Sequence, residues 1–194
     1  MTAQALRSAL AGAALGAVLS GCVPAVVVGG IAATAVVVTD RRTTGAQVDD
    51  QVIEDKTALT LNERFKGGEY HINVTSYNGI VLLTGEVPAE SAKTDIEQIV
   101  RSTPKVRAVQ DELVVGAAAS LASRSNDTAT TAKVKTRFAD TNKFQATQVK
   151  VVTERGVVYL MGIVRRDEGD AAAQIASTTD GVQRVVKVFE YVPG

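Results

Sequence analysis

Asn78-Gly79-Ile80-Val81-Leu82-Leu83-Thr84-Gly85-Glu86-Val87 and Arg155-Gly156-Val157-Val158-Tyr159-Leu160-Met161-Gly162-Ile163-Val164 are one pattern written twice, 77 positions apart. The same offset pairs Ile72 with Val149, Val74 with Val151, Thr57 with Val134 and Leu61 with Phe138. After a one-residue deletion the offset becomes 76, pairing Ile99 with Ile175, Val106 with Val182, Val109 with Val185 and Leu113 with Phe189. Matches sustained at nearly one spacing mark a duplicated unit of about 65–70 residues, small but large enough for a core of its own.

The repeat sets the local structure. Asn78-Gly79 is the strongest short hairpin signal, and Arg155-Gly156 keeps the glycine that adopts a positive φ without steric cost. Before the turn, Ile72, Val74 and Ser76 alternate with His71, Asn73 and Thr75, as a half-buried strand does; the returning strand is Ile80–Val87, ended near Pro88. Upstream, Ile53, Thr57, Leu61 and Phe65 share one helical face, as do Val134 and Phe138 in the second copy. Downstream come a helix, Ala89–Ser102 or Asp167–Thr178, and a strand, Val106–Val115 or Val182–Val192. The order α-β-β-α-β predicts an α+β fold in which each copy is a three-stranded mixed sheet packed against two helices. The copies are expected at residues 46–116 and 126–194, joined by an Ala- and Ser-rich linker at 117–125. Asp49, Asp50, Glu54 and Asp55 read as acids opening the first helix, where they complement its dipole by roughly 0.3–1 kcal/mol each. Asn126 or Asp127 takes the same capping part in the second copy.

The N-terminus reads as an address. A basic start at Arg7 and an apolar run from Ala9 to Val18 lead to Leu19-Ser20-Gly21-Cys22, which resembles a bacterial lipobox. Residues 1–21 would then be a lipoprotein signal peptide and Cys22 the lipid anchor of the mature chain. Several acyl chains, palmitate among them, give stable attachment at roughly 0.8 kcal/mol per buried methylene. Val23 rather than Asp follows the cysteine, which by analogy with lipoproteins favours the outer membrane over retention in the inner one. Residues 22–45 are expected to form a tether. Its Val23–Val38 run has 16 apolar or small residues broken by Pro24, Gly29 and Gly30. That is short of the ~20 residues a spanning helix needs.

Composition excludes more than it asserts. The chain has 194 residues, 45% hydrophobic and 22% charged, with 21 basic and 21 acidic residues and a net charge of zero. Nucleic acid is not an expected partner of so balanced a chain. One Cys and one His cannot make a Cys/His zinc site or an internal disulfide, so no cofactor and no metal is expected. No G-x-S-x-G, P-loop or H-E-x-x-H occurs, no nucleophile is paired with a histidine, and no enzyme is predicted. His71 reads as a surface or partly packed strand residue. The first helices of the two copies differ in charge. Between Asp49 and Lys66 five acids oppose three bases, net −2, whereas between Thr128 and Lys143 Lys133, Lys135, Arg137 and Lys143 oppose Asp140 alone, net +3. Ala129, Lys133 and Arg137 form one stripe of the helix and Lys135 lies on another flank.

The αββαβ pattern, the hairpin strand with its late glycine (Gly85 or Gly162) and the final apolar strand resemble the BON domain of bacterial envelope proteins. The lipobox, the Val/Ala/Gly run, Gly45-Ala46-Gln47-Val48-Asp49-Asp50, Ser125-Asn126-Asp127-Thr128 and Val149-Lys150-Val151-Val152-Thr153-Glu154 extend the resemblance to dual-BON outer-membrane lipoproteins over essentially the whole chain. That resemblance implies a non-enzymatic lipoprotein of the periplasmic face that maintains envelope integrity, with enrichment at the division site. It implies binding of an anionic phospholipid membrane, of phosphatidylglycerol type, through the first helix of the second domain. By position the contact residues would be Ala129, Lys133, Lys135, Arg137, Phe138 and Ala139. Ala129 stands where the family places a lipid-inserting aromatic, so binding should lean on the cations and be salt-sensitive. The alternative function the resemblance carries is docking of the first domain onto the outer-membrane β-barrel assembly machinery.

Overall fold

The two repeated strands sit at the centre of two sheets. In the computed structural model, which describes residues 40–193, the first sheet has the order β1-β2-β3 and the second β4-β5-β6. The elements are α1 (Thr44–Arg64), β1 (His71–Tyr77), β2 (Ile80–Val87), α2 (Glu90–Arg101), β3 (Ala108–Val115), α3 (Leu121–Ala139), β4 (Val149–Glu154), β5 (Val157–Val164), α4 (Arg166–Ser177) and β6 (Arg184–Tyr191). Each central strand pairs antiparallel with its hairpin partner and parallel with the strand that returns after a helix, as the α-β-β-α-β reading requires. The signal sequence, Cys22 and the Val23–Val38 run lie outside the described residues. No helix among the described residues is long and apolar enough to cross a membrane.

The hairpin turns show why the glycine was kept. Asn78 and Gly79 have φ of 52° and 75°, and Arg155 and Gly156 have 51° and 73°, the left-handed pair that a two-residue turn between right-twisted strands demands. Gly85 and Gly162 answer a different need. A Cβ on either would fall on the backbone carbonyl of the neighbouring strand, His71 or Gln148.

Val81, Leu83 and Val87 face α1 and α2 in one core with Ile53, Leu61 and Ile96. Val158, Leu160 and Val164 do the same beneath α3 and α4, with Val134, Phe138 and Ala172. The alternate residues on the opposite face are also buried. Tyr77 and Leu82 of the first sheet join Tyr159, Met161 and Ile163 of the second in a third core. The sheets therefore bury their helix-free faces against each other, giving layers in the order α/β/β/α. This explains why β2 and β5 read as continuous apolar runs: a strand buried on both faces has no polar side to alternate with.

The first helices begin earlier than expected. Thr43 caps α1 by accepting from the Ala46 amide, and Ser120 caps α3 by accepting from Ser123. Residues 121–125, read as linker, are thus the first turn of α3. The acids read as helix openers sit one to three turns inside. Asp50 accepts from the amides of Asn78 and Gly79 at 2.7 and 2.8 Å, and Asp127 from those of Arg155 and Gly156 at 2.9 and 2.8 Å. Each hairpin turn presents two amide donors to the buried face of the preceding helix, and a carboxylate one turn up is what satisfies them.

Candidate functional site

α3 runs along the outer layer of the second domain with Asp127, Thr130, Val134 and Phe138 turned into the core. Phe138 is 1% exposed and meets the Phe144 ring edge-on at 5.0 Å. It closes the core, so its reading as a lipid-contact residue is corrected: at i+4 from Val134, it lies on the face that α3 buries. Ala129, Lys133, Lys135, Arg137 and Ala139 are all exposed.

The three cations are not equivalent. Lys133 Nζ is 2.6 Å from Asp180 Oδ2, and the attached lysine holds that carboxyl below its usual range. Arg137 donates to neutral acceptors only, the Ile175 carbonyl at 2.9 Å and the Thr179 hydroxyl at 2.8 Å. It is tied down yet keeps its charge. Lys135 has no ion-pair partner among the described residues. With Arg42, Lys150, Tyr77 and Val149 it borders an open cavity of about 380 Å³ between the two domains. The structure therefore groups Ala129, Lys133 and Arg137 towards α4, and places Lys135 across the helix towards the first domain.

The acidity of α1 is partly spent inside the molecule. Asp50 also takes the Ser76 hydroxyl at 2.6 Å and Arg42 at 2.9 Å; Glu54 takes the Ser76 amide and Lys150 of the second domain; Asp49 takes Lys105. Burial works to raise the Asp50 pKa, but the Ser76, Gly79, Asn78 and Arg42 donors outweigh it and hold the carboxyl below its ordinary value. What α1 shows to solvent is partly apolar: Val48, Val52 and Leu59 are 58%, 42% and 65% exposed. Leu59 and Phe65 face Ile99 and Pro104 across a groove of about 890 Å³ between α1 and α2.

The seam between the sheets holds groups that sequence reasoning did not single out. Asp40–Arg42 lie across it: Arg42 stacks on the Tyr77 ring at 3.9 Å, while Arg41 reaches Glu168 of α4 at 2.6 Å and the Ile163 carbonyl at 3.0 Å. Desolvation and the Asp40 charge push the Tyr77 hydroxyl up to about 12. At the opposite corner Glu86, fully buried, accepts from His71 Nδ1 at 3.0 Å, the Ala119 amide at 2.9 Å and Arg155 at 3.4 Å. Glu154 of the second domain lies beside them, held by Asn73 at 2.8 Å. His71, Glu86 and Glu154 are the described residues whose donor atoms come close enough to share a metal ion. One signal was available in the sequence: Glu86 is a charge within an otherwise apolar central strand.

The BON domain family matches residues 49–117 and 126–193, in agreement with the two structural copies. Over 176 residues the chain is 42% identical to "Outer membrane lipoprotein DolP" of Haemophilus influenzae, covering 90% of each protein. It is 36% identical over 154 residues to a "21 kDa hemolysin" of Actinobacillus pleuropneumoniae, covering 79% of each. It is 30% identical over 144 residues to "Osmotically-inducible protein Y" of Escherichia coli, covering 73% of this chain and 72% of that one.

Proposed function

The chain belongs to the BON domain family, as a DolP-like outer-membrane lipoprotein with two copies of the domain, and from that premise we propose that it reads anionic phospholipid. In this reading Cys22 anchors the mature protein on the periplasmic side of the outer membrane, and α3 binds phosphatidylglycerol-type headgroups, including at the division site. The protein maintains the envelope without enzymatic chemistry. The observation that carries the proposal is the pair of exposed α3 flanks: among the described residues Lys135 on one has no acid partner, and Arg137 on the other is bound only to neutral oxygens. A cation that keeps its charge near a headgroup layer contributes about 1 kcal/mol. Lys133, paired to Asp180, adds less until that pair opens. With Ala129 supplying no ring and Phe138 buried, binding is electrostatic. It should weaken steeply with salt.

The test is an NMR titration of the protein with micelles containing phosphatidylglycerol and then with purely zwitterionic micelles. Shifts at residues 129–143 with the anionic micelles alone are expected. Equal shifts with both, or none with either, would overturn the reading.

A second reading rests on a specific observation, the apolar groove between α1 and α2 with Leu59 at its rim. It would dock an apolar segment of the outer-membrane β-barrel assembly machinery on the first domain. Photo-crosslinking from position 59 in cells tests it. Loss of crosslinks to that machinery, with lipid binding intact, would remove it.

A further inference from the structure

We propose that His71, Glu86 and Glu154 form a binding site for a divalent cation, fitted to Zn²⁺, that clamps the two BON domains together. The three donors come from three strands. His71 on β1 and Glu86 on β2 are directly paired across the first hairpin, and Glu154 ends β4 of the second domain. Their ligating atoms lie within 4.8 Å of one another. Bonds of 2.0–2.2 Å around a tetrahedral ion place its ligand atoms roughly 3.3 Å apart. The two separations from His71 Nδ1 are 3.0 Å to Glu86 and 3.8 Å to Glu154, on either side of that value, and the two carboxylates lie within 4.8 Å of each other. One imidazole and two carboxylates suit zinc and leave a fourth position for water. A polar cavity of about 250 Å³, bordered by His71, Glu154, Asp127, Thr131 and Thr153, reaches the cluster from solvent.

The charges also call for a cation. Two buried carboxylates meet here with Asp127 nearby, against two guanidiniums that reach out to solvent, Arg155 on Glu86 and Arg124 at the rim of the cavity. Nothing in the fold demands the arrangement. The 77-residue offset carries His71 onto Gln148, Glu86 onto Ile163 and Tyr77 onto Glu154. At that related corner Tyr77 packs in the seam core with Ile163, and its hydroxyl reaches the Gln148 carbonyl at 3.4 Å. That corner is closed differently, by a phenol on a carbonyl with Arg42 on its ring and the Arg41–Glu168 pair beside it, so the repeat does not impose the cluster of His71, Glu86 and Glu154. There the buried Glu168 has Arg41 and Arg165 as partners, whereas Glu154 has no Lys or Arg partner among the described residues; a buried charge left uncompensated is costly, so this corner is the one short of a cation.

His71 is the single histidine of the chain, so the imidazole NMR signals of the full-length protein, expressed without a polyhistidine tag, report on one residue. Titration with Zn²⁺ is expected to shift the His71 Nδ1 resonance with saturation at one ion per chain, reversed by EDTA. Tm should rise by about 5–10 °C at a Zn²⁺ concentration about a hundredfold above Kd. Glu154→Gln keeps the shape and can still accept from Asn73, and it should lose both responses while remaining folded. Unmoved His71 resonances or an unmoved Tm at excess Zn²⁺ would overturn the site. So would identical responses in Glu154→Gln.

Discussion

Replacing Asp50 with Asn should destabilise the protein more than replacing Asp127, although the two occupy equivalent positions. Asp50 Oδ1 accepts from the Ser76 hydroxyl and the Gly79 amide, and Oδ2 from the Asn78 amide and Arg42, at 2.6 to 2.9 Å. In the Asn orientation that loses least the NH₂ replaces Oδ1: the Ser76 hydroxyl can rotate to accept from it, but the Gly79 amide becomes a donor–donor contact, and Arg42 loses its anionic partner on Asp50. At about 1.5–3 kcal/mol for each of those two losses, Asp50→Asn should cost about 3–5 kcal/mol, or 10–15 °C in Tm. Asp127 serves only two amides, one on each oxygen, so Asp127→Asn forfeits one bond and should cost about half as much. The pH dependence gives an independent check. The donors hold the folded Asp50 carboxyl below 3.8, so the unfolded state takes up the proton first. The stability this group contributes is present above the unfolded value and is lost as pH falls through the folded one. The gap between wild type and Asp50→Asn should therefore narrow below that pH. Urea titrations followed by circular dichroism at neutral and acidic pH measure both quantities. Equal costs for the two variants, or a gap unchanged on acidification, would refute this account.

Two further outcomes follow from the packing. Gly85→Ala sets a Cβ on the His71 carbonyl at a φ of +115°, whereas Gly68→Ala meets nothing within 4 Å; the first should cost more than about 3 kcal/mol and the second under about 1 kcal/mol by urea midpoint. Leu82 and Leu83 are both fully buried, but Leu82 belongs to the seam and Leu83 to the first domain's own core. Each Leu→Ala change should cost about 2–4 kcal/mol. Only Leu82→Ala should accelerate amide exchange in β5 ahead of α1; matching exchange patterns would show that the seam is not a separate packing unit.

Most of the fold was legible because duplication doubled every signal. The turn dipeptide, the strand after it and the helix spacing each occur twice, and the observed strands end within two residues of the expected ones. Helix starts were less legible. Thr43 and Ser120 are ordinary polar residues in polar surroundings, while the acids several residues later resemble caps more closely than the true caps do. Asp50 and Asp127 were noticed for the right chemistry, a carboxylate accepting backbone amides, but assigned to the wrong amides. The partners are 28 and 29 residues away, a distance that local spacing cannot report. The exposed basic helix was legible, yet its division into a paired Lys133, a neutrally bound Arg137 and a Lys135 with no ion-pair partner among the described residues depends on α4 and the first domain, which meet α3 only in the folded chain.

The seam narrows where any partner can bind. In an isolated αββαβ unit the bare sheet face would be the most apolar surface and the natural docking site. Here both bare faces are consumed by each other, with Leu82, Tyr159 and Met161 no more than 3% exposed. That leaves the helix layers and the strand edges. The two copies have diverged there: α1 exposes Val48, Val52 and Leu59 beside a groove, and α3 exposes Arg137 on the stripe of Ala129 and Lys135 on the other flank. The proposed apolar protein segment and the proposed anionic headgroup thus fall to different layers, and neither reading displaces the other. Glu54 on Lys150 and Arg41 on Glu168 tie α1 and the segment before it to β4 and α4, and α3 is bonded to the same β4 through Thr131 on Thr153. A change that loosens the seam should therefore weaken both interactions together, whereas a change on one helix face should weaken only its own.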